Sequence, residues 1–465
     1  MRHALVRRRS PAWLWLAALL APKRFEGREI RISRRTLEAI ARDADHDDVA
    51  ACLTRLSARA PDHAWVAAFA VEYGLLRGDW SIVQSVLRSC LPSIRAKDGA
   101  FPKRYLTLLV ASQIEERRTE DALQTLTTYG RDTAFAREMD LLAASALIED
   151  DAQWLTRVNT VFEANGLGPI RLAGDASQSK FSRLTAQSAR TNSRPREAKV
   201  TVIVSCFNAE AYLETSLRSL FEQSHSNLEI IAVDDSSSDG TWQLLRALAE
   251  HEPRLRLLRN PKNVGTYVSR NRALRASTGE YVTTQDSDDW SHPDRISHQL
   301  DILERQPDAI ASHCAGLRMW DDGRFEVHQR TGDVIRGLCY ASLMYRKKAI
   351  LNLTGYWDCV RIEADAEYMR RILRLRGPRS IVACSKPLMI QLRRENSLTT
   401  TQGTQNIMRL REGPRLAYRA EAERFATRLT VGNAHYDFEA WRRPFPAPPS
   451  IVIADELVRE AASWE

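Results

Sequence analysis

Apolar residues recur at two different intervals in two parts of the chain. From about Thr36 to Leu167 they return every three to four positions, the period of an amphipathic helix. AWVAAFAVEYGLLRGDWSIVQSVLRSCL reads as two striped helices around a turn at Gly78-Asp79-Trp80. MDLLAASALIEDDAQWLTRVNTVFEANGL has the same form, turning near Asp150–Gln153, and YLTLLVASQIEERRTEDALQTLTTYG between them turns near Arg118–Glu120. Turns about 35–40 residues apart fit a degenerate array of helical hairpins as well as they fit an ordinary bundle.

The helical period stops in RLAGDASQSKFSRLTAQSARTNSRPREA, which is rich in Ser, Arg, Thr and Gln and reads as a linker. From Lys199 a different rhythm begins. KVTVIVSCF, LEIIAVDD, LRLLRN and EYVTTQD are strand-like, with helical stripes between them over Ala209–Gln223, Gly240–Glu250 and Val264–Ala276. This βαβαβαβ order calls for a mostly parallel sheet with helices on both faces. The expected organisation is an all-α helical-hairpin domain over 1–170, a linker over 171–198, an α/β domain over 199–400 and a helical extension over 401–465. Ligands of such sheets bind at the carboxyl ends of the strands. The places to look are therefore Ser205–Asn208, Asp234–Ser238, Asn260–Thr266 and Asp286–Asp289.

Composition narrows the class. The chain has 465 residues, 44% of them hydrophobic and 27% charged, which suits two or three soluble globular domains. Its net charge of +8 favours anionic partners, although Arg is spread along the chain. No nucleic-acid-binding signature occurs, and nucleic acid is not an expected partner. Seven scattered cysteines without a CxxC pair point to a reducing compartment and away from disulfides and structural zinc. The N-terminal MRHALVRRRSPAWLWLAALLAPKRF is apolar over too short a run to span a bilayer. It reads either as a packed helix or as a membrane-surface helix over residues 1–24, with Trp13 and Trp15 at headgroup level. A cytoplasmic location follows, at the inner face of the membrane in the second case.

The strand ends carry the candidate chemistry. The first lacks the glycine pattern of a dinucleotide fold and the lysine of a P-loop. Phe207 there either stacks on a planar base or lids the following helix. VDDSSSDGT either offers a carboxylate to a base edge or caps the Gly240 helix. YVTTQDSDDWSHPD ends the fourth strand with three carboxylates on four residues. It is not an EF-hand, because its sixth position is Ser291 where that loop needs Gly. It is either a solvated acidic turn or a D-x-D that aims hard oxygen ligands at Mg2+ or Mn2+. In RIEADAEYMRRILRLRG, Asp365 shares the inward stripe with Tyr368 and Met369. It serves either as a first-turn dipole partner or as a general base.

In order, VTVIVSCFN, VDDSSSDGT, NVGTYVSRNRAL, GEYVTTQDSDDWSHPDR, EADAEY and LRRENSLT resemble the family 2 glycosyltransferases of GT-A fold, over about Lys199 to Thr400. The helical part is similar to tetratricopeptide arrays and would dock a protein partner. The resemblance implies a GT-A-type sheet and an inverting, metal-dependent transfer from a nucleotide sugar, usually a UDP-sugar, to a hydroxyl of a glycan or lipid-linked acceptor. It places Ser205, Phe207, Asn208 and Asp235 at the nucleotide, with Arg270 and Asn271 nearby. It makes Asp288 a metal ligand, Asp286 a ligand to metal or ribose, and Asp365 the catalytic base. There are two departures: Ala364 stands where the family often has Glu, and Arg394 where it often has His. Arg394 suits a phosphate, and it is expected at the donor diphosphate. The rival readings are a nucleotidyltransferase on a similar sheet and a degenerate domain that acts as a scaffold.

Overall fold

The computed structural model describes residues 64–77, 79–90, 103–129, 136–189, 197–328, 331–394 and 413–464, with isolated positions between 47 and 54. The stretch 1–24, read as a packed or membrane-surface helix, lies outside the described residues. Among the described residues no helix is long and apolar enough to cross a membrane. The chain divides into two compact units. One reaches to Arg157 and takes in Val327–Val334; the other comprises Val158–Glu326 and Ile335–Glu465.

In the first unit α1 (Ala64–Arg77), α2 (Trp80–Cys90), α3 (Lys103–Glu115), α4 (Thr119–Tyr129) and α5 (Ala136–Ala146) each pack on the next, and α3 also touches α5. Asp79 starts α2 by accepting hydrogen bonds from the Ser81 and Ile82 amides at 2.9 and 3.3 Å. Asp150 accepts one from the Gln153 amide at 3.0 Å ahead of α6 (Asp151–Ala164). Short side-chain oxygens at these turns satisfy N–H groups that have no partner inside the helix.

The second unit is built on one mixed sheet. β3 (Val200–Cys206) lies between β4 (Leu228–Asp234) and β6 (Tyr281–Asp286), with β5 (Leu255–Arg259) outside β4, all in parallel. Beyond β6 the pairing changes. β10 (Met344–Arg346) is antiparallel to both β6 and β8 (Ala311–Trp320), and β11 (Ile381–Arg393) is parallel to β8. Short β7 (Asp289–Ser291) pairs antiparallel with β11, and β9 (Ile335–Arg336) with β8. Two reversals restore direction. Hence β3, β4, β5, β6, β8 and β11 all present their carboxyl ends at one edge.

Helices α7 (Glu210–Phe221), α8 (Thr241–His251), α9 (Thr266–Ala276), α10 (Arg295–Arg305), α11 (Lys347–Thr354) and α12 (Ala364–Arg376) cover the two faces. Val200, Val202 and Val204 pack with Leu213, Leu217 and Leu220 of α7. Ile203, Ile231 and Val233 join a second cluster with Ala273 of α9 and Ile372 of α12. Side chains alternate between faces along a strand, and a strand buried on both faces reads as an unbroken apolar run.

One expectation is corrected. The stretch 171–198 is not a plain linker: β1 (Ile170–Leu172) and β2 (Leu184–Ala186) form an antiparallel pair. Phe181 is fully buried and sits edge-on to Tyr212. Ser188 and the Ala189 amide satisfy the buried carboxylate of Asp294 at 2.5 and 3.0 Å. A few apolar anchors and one distant buried acid thus order a segment whose composition is polar; residues 190–196 lie outside the described ones. The described part of the C-terminal stretch is helical over Pro414–Ala426 and Asp455–Ser463 and packs on the sheet. Tyr418 and Ala422 of α13 (Pro414–Ala426), with Phe445 and Ile451, enter the same core as Ile203 and Ile372.

Candidate active site

At the edge where the strands end, Ser205 stands in register between Val233 and Asp286. Phe207 follows, half exposed at 51%, one of few large apolar side chains in the described residues to face solvent. Asn208 has a left-handed backbone (φ 47°), which Asn tolerates better than most residues. Its side-chain oxygen accepts from the Ser238 amide at 2.9 Å, and its own amide donates to the Ser237 hydroxyl at 3.0 Å. The first two strand-end loops are therefore tied together.

Asp235 is mostly engaged by the chain itself. Oδ1 accepts from the Val264 amide (2.9 Å) and Asn260 (2.7 Å), and Oδ2 accepts from the Gly265 amide (2.7 Å). Gly265 has φ +80°, a conformation suited to glycine, and it leads directly into α9. Burial pushes the Asp235 carboxyl up, against these hydrogen bonds. What it retains for an external donor is a single position on Oδ2.

Asn271 departs from expectation. It is fully buried, and its amide pairs in both directions with the backbone of Trp357 at 3.0 Å. Successive helix residues lie about 100° apart, so Asn271 faces the core while Arg270 faces the strand ends. Arg270 reaches Asp286 at 2.5 Å and lies over the Tyr267 ring at 5.4 Å. The Tyr267 hydroxyl is in turn hydrogen-bonded with the backbone of Asp365.

Asp365 lies in the first turn of α12, with Oδ1 accepting from the Ala366 amide at 2.7 Å. Burial raises its carboxyl above the usual Asp range, Arg270 opposes the rise, and Glu363 and Asp286 add to it. Arg270 is thus the cation common to Asp286 and Asp365. Asp288 pairs with Arg394, whose guanidinium also lies 5.4 Å from the Tyr212 ring centre. Asp289 turns inward into β7, is buried, and has its carboxyl driven well up by burial and by its acidic neighbours. Asp286 and Asp288 are left as the two carboxylates at the edge.

Sequence reasoning missed Glu363. It has φ +74° just ahead of α12, an uncommon conformation for a residue other than glycine. Arg415 at 2.9 Å and Arg419 at 3.0 Å, both on α13, hold its carboxylate. The departure at Ala364 thus comes with an acid one residue earlier that is paired with α13. No local signal could have shown this, because its partners lie some fifty residues downstream.

A family model described as glycosyl transferase family 2 matches residues 201–374. Those residues form a family 2 glycosyltransferase domain. Among curated relatives, EpsE of Bacillus subtilis, named as a glycosyltransferase, is 33% identical over 171 residues, covering 34% of this chain and 60% of EpsE. TuaG of the same organism, named for teichuronic acid biosynthesis, is 38% identical over 104 residues, covering 22% and 41%. The chain thus spans 60% or less of the length of these relatives. Two solved structures lie further off. Residues 1–349 of Staphylococcus aureus TarS with UDP-GlcNAc are 22% identical, with a TM-score of 0.36 and coverage of 44% of this chain and 61% of that one. The mannosyltransferase PcManGT of Pyrobaculum calidifontis, with GDP-Man and Mn2+, is 19% identical, with a TM-score of 0.38 and coverage of 70% and 81%. The matched segment ends before β11, which belongs to the same sheet, so Arg394 and the C-terminal partners of Glu363 lie outside the match.

Proposed function

We propose that this protein transfers a sugar from a nucleotide sugar, a UDP-sugar by family resemblance, to a hydroxyl of a glycan or lipid-linked acceptor, with inversion. The observation that carries this reading is the grouping of Asp286 and Asp365 around Arg270, with Asp288 beside them. In a single displacement the acceptor oxygen bonds to the anomeric carbon. The bond to the nucleoside diphosphate breaks with its electron pair, and Asp365 takes the hydroxyl proton. Ser205, the exposed ring of Phe207 and the remaining acceptor position of Asp235 are suited to the nucleoside. Asn208 shapes that loop.

The donor set at Asp286 and Asp288 suits a divalent cation. Each carboxylate spends one oxygen on a guanidinium in the contacts described above, leaving hard oxygens for Mg2+ or Mn2+. Among the described residues no group of three or more His, Cys, Asp or Glu could hold a metal. A protein shell of two carboxylates is what such ions accept when phosphate oxygens and water complete it. A cation bound there would neutralise charge on the departing diphosphate. Panel assays of nucleoside diphosphate release, with and without Mn2+ or Mg2+, test the reading; failure to bind or turn over any nucleotide sugar overturns it.

Arg394 is assigned to the donor diphosphate. A charge-assisted hydrogen bond is worth about 1.5–3 kcal/mol, so Arg394→Ala should weaken nucleotide-sugar binding roughly 10- to 100-fold. Unchanged affinity by calorimetry would remove Arg394 from the donor site. The pair of arginines on Glu363 is assigned to fixing the start of α12, and hence Asp365. Arg419→Ala should lower kcat about 10- to 100-fold while leaving donor affinity in place, because misplacement of about 1 Å costs that much. An Arg419→Ala enzyme with unaltered kcat would show that the contact only adds stability.

A further inference from the structure

Among the described residues the exposed large apolar side chains are Phe207, Tyr340 and Val431. A single apolar side chain at a surface needs no explanation. Two of these, however, flank the end of β6, the strand that carries the D-x-D. Phe207 follows β3 on one side of it. Tyr340, 40% exposed, lies on the other side, in the 3-10 turn Tyr340–Ser342 that leads into β10.

β10 runs antiparallel to β6, with Met344 opposite Thr283, so the turn before it sits toward the carboxyl end of β6. That turn is firmly held. The Ala341 carbonyl accepts from Thr284 Oγ1 at 2.8 Å, and the Ser342 carbonyl accepts from Gln299 Nε2 at 2.7 Å. The Ser342 hydroxyl accepts from the Cys314 amide at 2.9 Å and donates to the Cys339 carbonyl at 2.7 Å. The same turn packs against α12, the helix of Asp365. A fixed backbone thus presents Tyr340 beside both the D-x-D strand and the assigned base, opposite the loops suited to the nucleoside.

The side chain itself is uncommitted. Among the described residues its hydroxyl has no hydrogen-bond partner, and its ring stacks on no other ring and no guanidinium. Charged groups surround it. Partial burial and the nearby Asp365 push the phenol up, Glu363 adds to this, and Arg419 and Arg370 oppose it. The phenol therefore stays neutral near pH 7 and offers a ring and one hydroxyl. Such a site suits a ligand that is apolar on one face and polar at its rim. A pyranose is built that way: its C–H bonds form a face for an aromatic ring, and its hydroxyls project at the edge. A hydrocarbon tail would strip water from the charges. A bare phosphate would leave the ring unused and meet two carboxylates.

We propose that Tyr340 forms an acceptor subsite on which a pyranose ring stacks, so that the attacking hydroxyl belongs to a sugar. The assignment rests on the transferase reading above. Nucleoside diphosphate release from the nucleotide sugar that the full chain hydrolyses is measured with added methyl pyranosides: glucoside, galactoside, mannoside and N-acetylglucosaminide. Glycerol phosphate and farnesyl phosphate serve as probes without a sugar ring. At least one pyranoside should accelerate release in the wild type. Its KM should rise about tenfold in Tyr340→Ala, the scale of a lost stacking contact, and stay within about twofold in Tyr340→Phe. Nucleoside diphosphate affinity, measured by calorimetry on the same proteins, should not change. A merely structural tyrosine predicts no such split between acceptor and donor. Equal KM in wild type and Tyr340→Ala overturns the subsite, as does an equal rise in Tyr340→Phe. Acceleration by the ringless probes alone, or by no probe, also overturns it. A wild type that neither binds nor hydrolyses any nucleotide sugar would instead overturn the transferase reading, so the two failures are distinguishable.

Discussion

Asp365→Asn is expected to lower the rate of sugar transfer by about 100- to 10,000-fold, the usual contribution of a positioned general base. The substitution keeps size and the oxygen that accepts from the Ala366 amide at 2.7 Å, so the first turn of α12 should stand. Donor affinity should also stand, because Asp365 is assigned to the acceptor proton alone. The wild-type pH profile supplies a second readout. Burial holds the Asp365 carboxyl above its ordinary range, with only partial relief from Arg270. A base must be deprotonated to act, so activity should fall as pH drops through that raised value, at higher pH than an ordinary aspartate with pKa near ~3.9 would give. A variant that retains near-normal kcat would take Asp365 out of the chemistry.

The second large effect is on stability. Arg371 is almost wholly buried on the helix that carries Asp365, at 1% side-chain exposure. Its Nε meets Glu367 at 2.9 Å, and its Nη atoms donate to the carbonyls of Thr354 and Tyr356 at 2.8 Å and of Ala434 at 3.1 Å. The guanidinium also lies 3.5 Å from the centre of the Tyr436 ring. One side chain thus joins α12 to the end of α11 and to the C-terminal stretch. Arg371→Ala leaves the buried Glu367 carboxylate with only the Tyr436 hydroxyl at 3.1 Å and removes this donor from the Tyr356 and Ala434 carbonyls, while Thr354 keeps the Tyr436 amide at 3.0 Å. It should destabilise the domain by about 3–5 kcal/mol in urea denaturation. Arg371→Met combined with Glu367→Gln should recover part of that loss, because the uncompensated charge is gone. A loss below about 1 kcal/mol in Arg371→Ala would show that water replaces the guanidinium there.

What could be read from the sequence, and what could not, follows the range of the interactions. β3, β4 and β6 were legible because strands buried on both faces are continuous apolar runs, and their ends located Ser205, Asp286 and Asp288 without further help. Arg270 and Asn271 are adjacent letters, but the helix turns one toward Asp286 and the other toward Trp357; which faces which depends on packing. The hairpin at 170–186 was hidden because its anchors are distant: Phe181 packs against Tyr212, and just past the hairpin Ser188 and the Ala189 amide donate to Asp294, more than a hundred residues away. The same holds for Glu363, whose strained backbone is held by Arg415 and Arg419, and for Arg371, whose acceptors come from three separate segments. Local composition carries none of those contacts.

The central claim is that Asp286, Asp288 and Asp365 serve transfer from a nucleotide sugar. It is tested most directly by nucleoside diphosphate release from a panel of nucleotide sugars, with and without Mn2+ or Mg2+, for wild type and Asp288→Ala. Cation-dependent release from one donor, lost in Asp288→Ala, is the predicted result. Release at the same rate in the variant, or no release from any donor by a folded wild type, would contradict it.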